Sequence, residues 1–210
     1  MKEIYLVRHG ESEGNAGTHY QNESTPLTER GREQAAFMAK RASKLNLDAI
    51  LASTMLRAQQ TATIIAEEVN FPFDSSDLFV ERRRPSEQIN QPKDDPMVMH
   101  AELEIMKSSG VSGMRFSDEE NFDDLNNRSA AALTFLENYP GKKILVVTHG
   151  VFLRNIAAQI IFGEKLTGED CGHILDSFIA SNTGLTVLQF DPQATKRWRL
   201  LTWNDHAHLG

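Results

Sequence analysis

Apolar positions along this chain fall into two patterns, short unbroken runs and longer stretches spaced by three and four residues. Residues 3 to 8, with Ile4, Leu6 and Val7, read as a buried strand that stops at the glycine of Arg8-His9-Gly10. A polar loop containing glycines follows, roughly Glu11 to Leu27. Thr28 has the position of a helix N-cap, leading into Glu29 to about Lys44 with an apolar face of Ala35, Ala36, Met38, Ala39 and Ala42. Asp48 to Ser53 is a second short strand. Met55 to Val69 has helical spacing through Leu56, Ala58, Thr61, Ile64 and Ile65, and Asp77 to Val80 reads as a third strand. From Glu81 to about Asn121 the periodicity fades, and Pro85, Pro92, Pro96, Gly110 and Gly113 act as breakers. So long an irregular stretch is unusual in a compact domain unless it forms a lid or carries function. Phe122 to Tyr139 returns to helix and Pro140-Gly141 closes it. Lys143 to Thr148 is the strongest strand, Val151 to Phe162 is helical, and Ser181 to Phe190 and Trp198 to Trp203 are β-rich.

This alternation predicts an α/β fold, a three-layer αβα sandwich with a mostly parallel central sheet. Residues 1–210 form one domain in this reading, with an inserted cap at about 81–121. Arg8-His9-Gly10 and His149-Gly150 both fall at the carboxyl ends of predicted strands, the rim where open α/β sheets place ligands. Lys plus Arg total 22 against 29 Asp plus Glu, a formal charge of -7, which disfavours a non-specific nucleic-acid binder but not a local basic pocket. Cys171 is the only cysteine, so no intramolecular disulfide forms and cysteine-based zinc ligation is disfavoured. The opening segment has no signal-peptide pattern, and no apolar run is long enough for a membrane helix. The expectation is a cytoplasmic protein without nucleic-acid or membrane partners; a homodimer stays open.

The chemistry centres on His9. A neutral imidazole attacks phosphorus when its other ring nitrogen is fixed by an acceptor, and the phosphoryl oxygens then need cationic donors. Arg8 adjoins His9, Arg57 opens a predicted helix, and His149 ends the strongest strand. Arginine suits the task because its planar fork grips two oxygens. Alone, Arg-His-Gly is a weak motif, and taken by itself it is more often a structural histidine than a catalytic one.

The segment Leu6-Val7-Arg8-His9-Gly10-Glu11-Ser12-Glu13-Gly14-Asn15 resembles the opening signature of the histidine phosphatase (phosphoglycerate mutase-like) superfamily. Pro26-Leu27-Thr28-Glu29-Arg30-Gly31, Ser53 to Thr61, Val147-Thr148-His149-Gly150 and Ser181-Asn182-Thr183-Gly184 fall in the family's order, as does the closing Asn204 to Leu209. The resemblance implies that His9 accepts the phosphoryl group within a pocket of Arg8, Arg57 and His149. Asn15, Ser12 and Gly150 are expected as further phosphate contacts. It also implies Glu81 as proton donor, with Glu87 as the rival; a carboxylic acid serves near neutral pH only if desolvation or a nearby phosphate raises its pKa. Arg82 and Arg83, within Arg82-Arg83-Arg84, could hold a second anionic group or simply be a solvated run.

Other features carry less. His19, His100 and His173 lack metal-like partners at fixed spacing, His206 and His208 have no supporting carboxylate cluster, and no metal or cofactor is expected. Asp118-Glu119-Glu120 with Asp123-Asp124 reads as a solvated helix start, and the glycines after Arg8 do not make a P-loop. Trp198 and Trp203 are expected to pack. The leading reading is a metal-independent phosphatase acting on a small-molecule phosphate ester. A phosphoglycerate mutase-type transferase is the alternative, disfavoured because the chain ends directly after its last motif. A non-catalytic phosphate-binding protein comes last, because the whole residue set is present.

Overall fold

The structure, a computed structural model, describes residues 1–108 and 111–210, so the breaker Gly110 lies outside the described residues. The first strand, β1 (Lys2–Arg8), is buried continuously from Ile4 to Val7 because helices cover both faces of its sheet. A short helix, α1 (Glu13–Ala16), interrupts the following loop, and the Thr28 hydroxyl caps α2 (Glu29–Ala42) by accepting from Gly31 N–H at 3.0 Å. Then come β2 (Ala49–Ala52), α3 (Leu56–Val69), β3 (Asp74–Ser75), α4 (Pro96–Ser108) and α5 (Phe122–Asn138). β4 (Lys143–Thr148), α6 (Gly150–Phe162), α7 (Gly168–Ser177), β5 (Leu185–Phe190) and β6 (Trp198–Asp205) complete the order.

The strands form one six-stranded sheet in the order β3-β2-β4-β1-β5-β6. Pairing is parallel from β3 through β1, while β5 runs antiparallel to both its neighbours. Alternate residues of the same apolar runs serve opposite layers. Ile4, Leu6, Leu51, Ile144 and Val146 join the α5 and α6 side with Leu136, Phe152 and Ile156; Tyr5, Val7, Ile50, Leu145 and Val147 join the α2 and α3 side with Met38, Ala62 and Ile65. The fold is the expected three-layer α/β sandwich. No helix among the described residues is long and apolar enough to cross a membrane.

Four local expectations are corrected. The third strand lies at Asp74 and Ser75, paired with Leu51 and Ala52; Asp77–Phe79 is instead a 3-10 turn, started by the Ser76 hydroxyl accepting from Leu78 N–H. Pro96 does not break structure but begins α4, because Asp95 caps the helix by accepting from Met97 and Val98 N–H, and proline tolerates the first helical position. Helix α7, unforeseen, starts at a capping box between Thr167 and Asp170. The acidic run is solvated only in part: Asp118 is exposed and Asp123 and Asp124 stand in the first turn of α5, but Glu119 and Glu120 are buried, Glu119 accepting from Phe116 and Ser117 N–H and Glu120 pairing with Arg128.

Candidate active site

Strand register brings the two motif histidines together. Arg8 is opposite Thr148 across the β1–β4 pair, and His9 N–H donates to Thr148 O at 2.9 Å. Ser53 N–H donates to Val147 O at 2.9 Å, placing the end of β2 beside them. The rings of His9 and His149 lie 5.0 Å apart. Behind this rim, the start of α2 packs backbone to backbone on the turn after His9. A Cβ at Gly10 would stand 2.3 Å from Gly31 O and one at Gly31 2.0 Å from Glu11 O, which is why both positions are glycine. On the far side Asn182 donates to His9 O at 2.9 Å, from a loop that Asn204 braces by accepting from Ser181 N–H at 2.7 Å.

His9 is 1% exposed, and its Nδ1 donates to Gly10 O at 2.7 Å, which leaves a lone pair on Nε2. Arg57 Nε–H points at that lone pair from 3.3 Å. Burial, then the neighbouring His149, Arg57 and Arg8, hold the His9 pKa well below the usual histidine range, so the ring is neutral. His149 is held low likewise by burial and then by Arg57 and Arg8. Its Nε2 is 2.8 Å from the Ser53 hydroxyl.

The two arginines are fixed by backbone carbonyls. Arg57 Nη1 donates to Asn22 O at 3.0 Å, and Arg8 Nη1 donates to Ala180 O at 2.6 Å. Burial pulls Arg57 down to about 10, with Glu81 opposing, so it remains a cation at neutral pH. Among the described residues, only Arg8 Nε and His149 Nδ1 are buried side-chain nitrogens or oxygens without a hydrogen-bond partner. Both belong to the cluster around His9. An unpaired buried polar group costs about 1–3 kcal/mol, so two in one place mark a site suited to a polar ligand. A Cβ at Gly150 would sit 3.4 Å from Arg8 Nε, crowding the same spot.

Glu81 faces the start of α6, accepting from Val151 N–H at 3.1 Å and Phe152 N–H at 3.0 Å, and also from Arg82 N–H at 2.9 Å. Burial alone would raise its pKa, but the three backbone donors and Arg57 outweigh that and lower it. The unliganded carboxylate is therefore ionised, opposite to the raised value a proton donor requires. Asn15, Arg8, Arg57, Glu81 and Gly150 all line one open cavity of about 920 Å³, joined by Arg82, Arg83 and Arg154. His9 and His149 are buried and do not line it; Arg57, which does, reaches His9 Nε2 at 3.3 Å.

Ser12 is a correction. It is fully buried and off the cavity wall, because its hydroxyl caps α1 and donates to Gln21 at 2.8 Å. Glu87 is exposed, accepts from the Ser117 hydroxyl at 3.0 Å and does not line the cavity. His19, His100 and His173 are exposed, and His208 contacts Thr183 Oγ1 at 3.1 Å. Trp198 and Trp203 pack edgewise or tilted on Phe190 and Phe178. The sequence alone pointed to no role for Ser53, Asn182 or Arg154. The first two lie within the ordered motifs, and Arg154 stands one helical turn after Gly150.

A mostly parallel αβα fold here gathers, at its strand ends, a neutral histidine, two buried arginines and two unpaired nitrogens, a set whose chemistry suits an oxyanion. The chain belongs to the histidine phosphatase superfamily (branch 1), whose family model matches residues 4–206. It is 33% identical over 169 residues to the probable phosphoglycerate mutase GpmB of Salmonella arizonae, covering 77% of this chain and 75% of that one. Among solved structures it is similar to Bacillus stearothermophilus YhfR, with 23% identity, a TM-score of 0.84 and 100% of both chains covered. It is also similar to a mycobacterial glucosyl-3-phosphoglycerate phosphatase in complex with VO3, with 20% identity, a TM-score of 0.77, and 98% and 100% covered.

Proposed function

We propose that this protein hydrolyses a small-molecule phosphate monoester through a phosphohistidine on His9. The observation that carries the reading is the pair of orphaned nitrogens, Arg8 Nε and His149 Nδ1, beside a histidine whose Nε2 bears a lone pair. Entry of the phosphate moves Arg57 Nε–H from that lone pair onto a phosphoryl oxygen. Glu81 takes up a proton from solvent as the dianion binds near it; His9 Nε2 then attacks phosphorus, the ester P–O bond breaks, and the departing oxygen takes that proton from Glu81. Arg8, Arg57 and His149 hold the equatorial oxygens, so charge neutralisation comes from side chains that are already in place. In the second half, water attacks the phosphorus of phospho-His9, the P–N bond breaks, and the Glu81 carboxylate takes the water's proton. Inorganic phosphate leaves.

Substitution of His9 tests the mechanism. His9→Ala is expected to abolish turnover and any acid-labile phosphoenzyme, while chelators leave the parent protein active. Chelator-sensitive turnover, or a His9→Ala variant that keeps most activity, overturns it.

A second reading, phosphoryl return to substrate in place of water, is favoured by the identity to proteins named probable phosphoglycerate mutases. It predicts interconversion of 3- and 2-phosphoglycerate, primed by bisphosphoglycerate, at rates above the hydrolysis of every ester tested. The hydrolytic reading predicts the reverse ranking.

A further inference from the structure

His149 stands at the N-cap of α6, where a side-chain acceptor ordinarily takes the N–H of the second or third helical residue. Those two donors, Val151 and Phe152 N–H, go to Glu81 instead. The imidazole makes no cap bond, and its Nδ1 is buried without a partner. Burial and the neighbouring arginines keep the ring neutral, so one nitrogen carries a hydrogen and the other a lone pair. Their assignment decides whether Nδ1 offers an oxyanion a donor or a repelling lone pair.

The partner of one ring nitrogen sets the state of the other. His149 Nε2 lies 2.8 Å from the hydroxyl of Ser53, which is fully buried. Ser53 is held rigidly: its N–H donates to Val147 O at 2.9 Å, and its carbonyl accepts from Gln59 Nε2. Its hydroxyl oxygen accepts from Met55 N–H at 3.2 Å, and among the described residues that hydroxyl has no partner besides Met55 and His149. A hydroxyl has one hydrogen to give, and the only acceptor within its reach is His149 Nε2. Given there, it leaves the ring hydrogen on Nδ1. In the opposite tautomer Nε2–H points at Ser53, the Ser53 hydrogen is stranded, and Nδ1 is a bare lone pair. Two buried polar groups are then unsatisfied where the first arrangement leaves one.

We propose that Ser53 is a positioning residue, holding neutral His149 in the Nδ1–H tautomer so that Nδ1 donates to the bound oxyanion. This deepens the phosphatase reading, from which it takes His149 as a phosphate contact. Nitrogen-15 spectra of protein labelled at the imidazoles read the tautomer directly, with His149→Gln identifying the His149 signals. At neutral pH the ligand-free parent is expected to show a pyrrole-type Nδ1 and a pyridine-type Nε2. In Ser53→Ala the two shifts are expected to converge as the ring spreads over both tautomers, while Ser53→Thr, which keeps the hydroxyl, retains the parent pattern. Sulfate, measured by calorimetry, is expected to bind Ser53→Ala about tenfold or more weakly, the worth of a hydrogen bond to an ion.

A merely structural role for Ser53 lowers the yield of folded protein but leaves the nitrogen shifts where they are. A pyridine-type Nδ1 in the parent overturns the proposal without any variant. So does a Ser53→Ala protein with the parent pattern, or one that binds sulfate as tightly as the parent. None of these measurements needs turnover. Spectra and affinities as expected, in a protein that hydrolyses no ester, would count against the phosphatase reading alone.

Discussion

A carboxylate that caps a helix in one state and delivers a proton in the next must change its pKa between them. In the free protein three backbone N–H groups and Arg57 keep Glu81 ionised against the opposing effect of burial. A dianion placed beside Arg8 and Arg57 adds negative charge that Arg57 no longer offsets, so the proton affinity of Glu81 rises. Sulfate tests this, because it is fully dianionic near neutral pH and brings no proton of its own. Calorimetry in buffers of different ionisation enthalpy is expected to detect proton uptake on sulfate binding, absent in Glu81→Gln. Uptake that persists in the variant, or none in the parent, leaves Glu81 as a helix cap only. With substrates, loss of a general acid typically costs about 10²–10⁴ in rate and depends on the leaving group. Glu81→Gln is therefore expected to impair an alkyl phosphate far more than p-nitrophenyl phosphate. Glu87→Gln supplies the comparison; its carboxylate is exposed and off the cavity wall, a distinction that nothing in the local sequence encodes.

The segment carrying Glu81 is held from both sides by a buried pair anchored at α5. Arg128 Nε and Nη2 each donate to Glu120 at 2.6 Å, while Arg128 Nη1 reaches Leu78 O at 3.1 Å and Val80 O at 2.8 Å. Glu120 accepts from Arg83 N–H at 3.3 Å and donates its own N–H to Arg83 O at 3.0 Å. Backbone just before and just after Glu81 is thus pinned, which aims the carboxylate at α6. Buried ion pairs contribute little net stability but set geometry where they recur to one segment. Arg128→Lys and Glu120→Gln are expected to widen the rate gap between alkyl and p-nitrophenyl phosphates by about tenfold or more, as a small misplacement of the acid would. Equal losses on both esters would make the pair structural only. Such elements divide sharply in how well the sequence reveals them. β1 and β4 are plain because a short unbroken apolar run between polar breakers suits a strand covered on both faces. α4 is hidden because Met97, Met99, Leu103 and Met106 are exposed, blurring its periodicity, and because Asp95 converts an apparent breaker into a helix start. Glu120 and Arg128 are eight residues apart around a helix start, and the acidic run disguises which carboxylate is inside.

At the scale of the whole molecule, binding a dianion beneath an acidic surface requires burying neutral histidines next to permanent cations, and that has a consequence for stability. His9 and His149 sit among Arg8 and Arg57 with pKa values held well below 6.5 by burial first and by those charges second. In the unfolded chain each recovers an ordinary histidine pKa of about 6.5. Above that value both states are neutral and the pair contributes no pH dependence. As pH falls below it, the unfolded chain takes up protons that the folded one refuses, so stability falls with pH. The slope reaches at most about 1.4 kcal/mol per pH unit for each histidine, and it continues until the depressed folded values are reached. Carboxylates act in a different window. Glu81 and Asp205 have lowered pKa values, so their contribution is present above the ordinary carboxylate range and is lost only at lower pH. Between pH 7 and pH 5 the histidines dominate, His208 included because burial and then Arg41 lower it too, so the contribution of His9 and His149 is read from their variants. Stability is expected to drop over that interval in the parent protein, and by about one proton's slope less in His9→Gln and in His149→Gln. A parent protein whose stability is flat from pH 7 to pH 5 would mean that the rings are not held neutral, and that the pocket accepts its anion with imidazolium donors already in place.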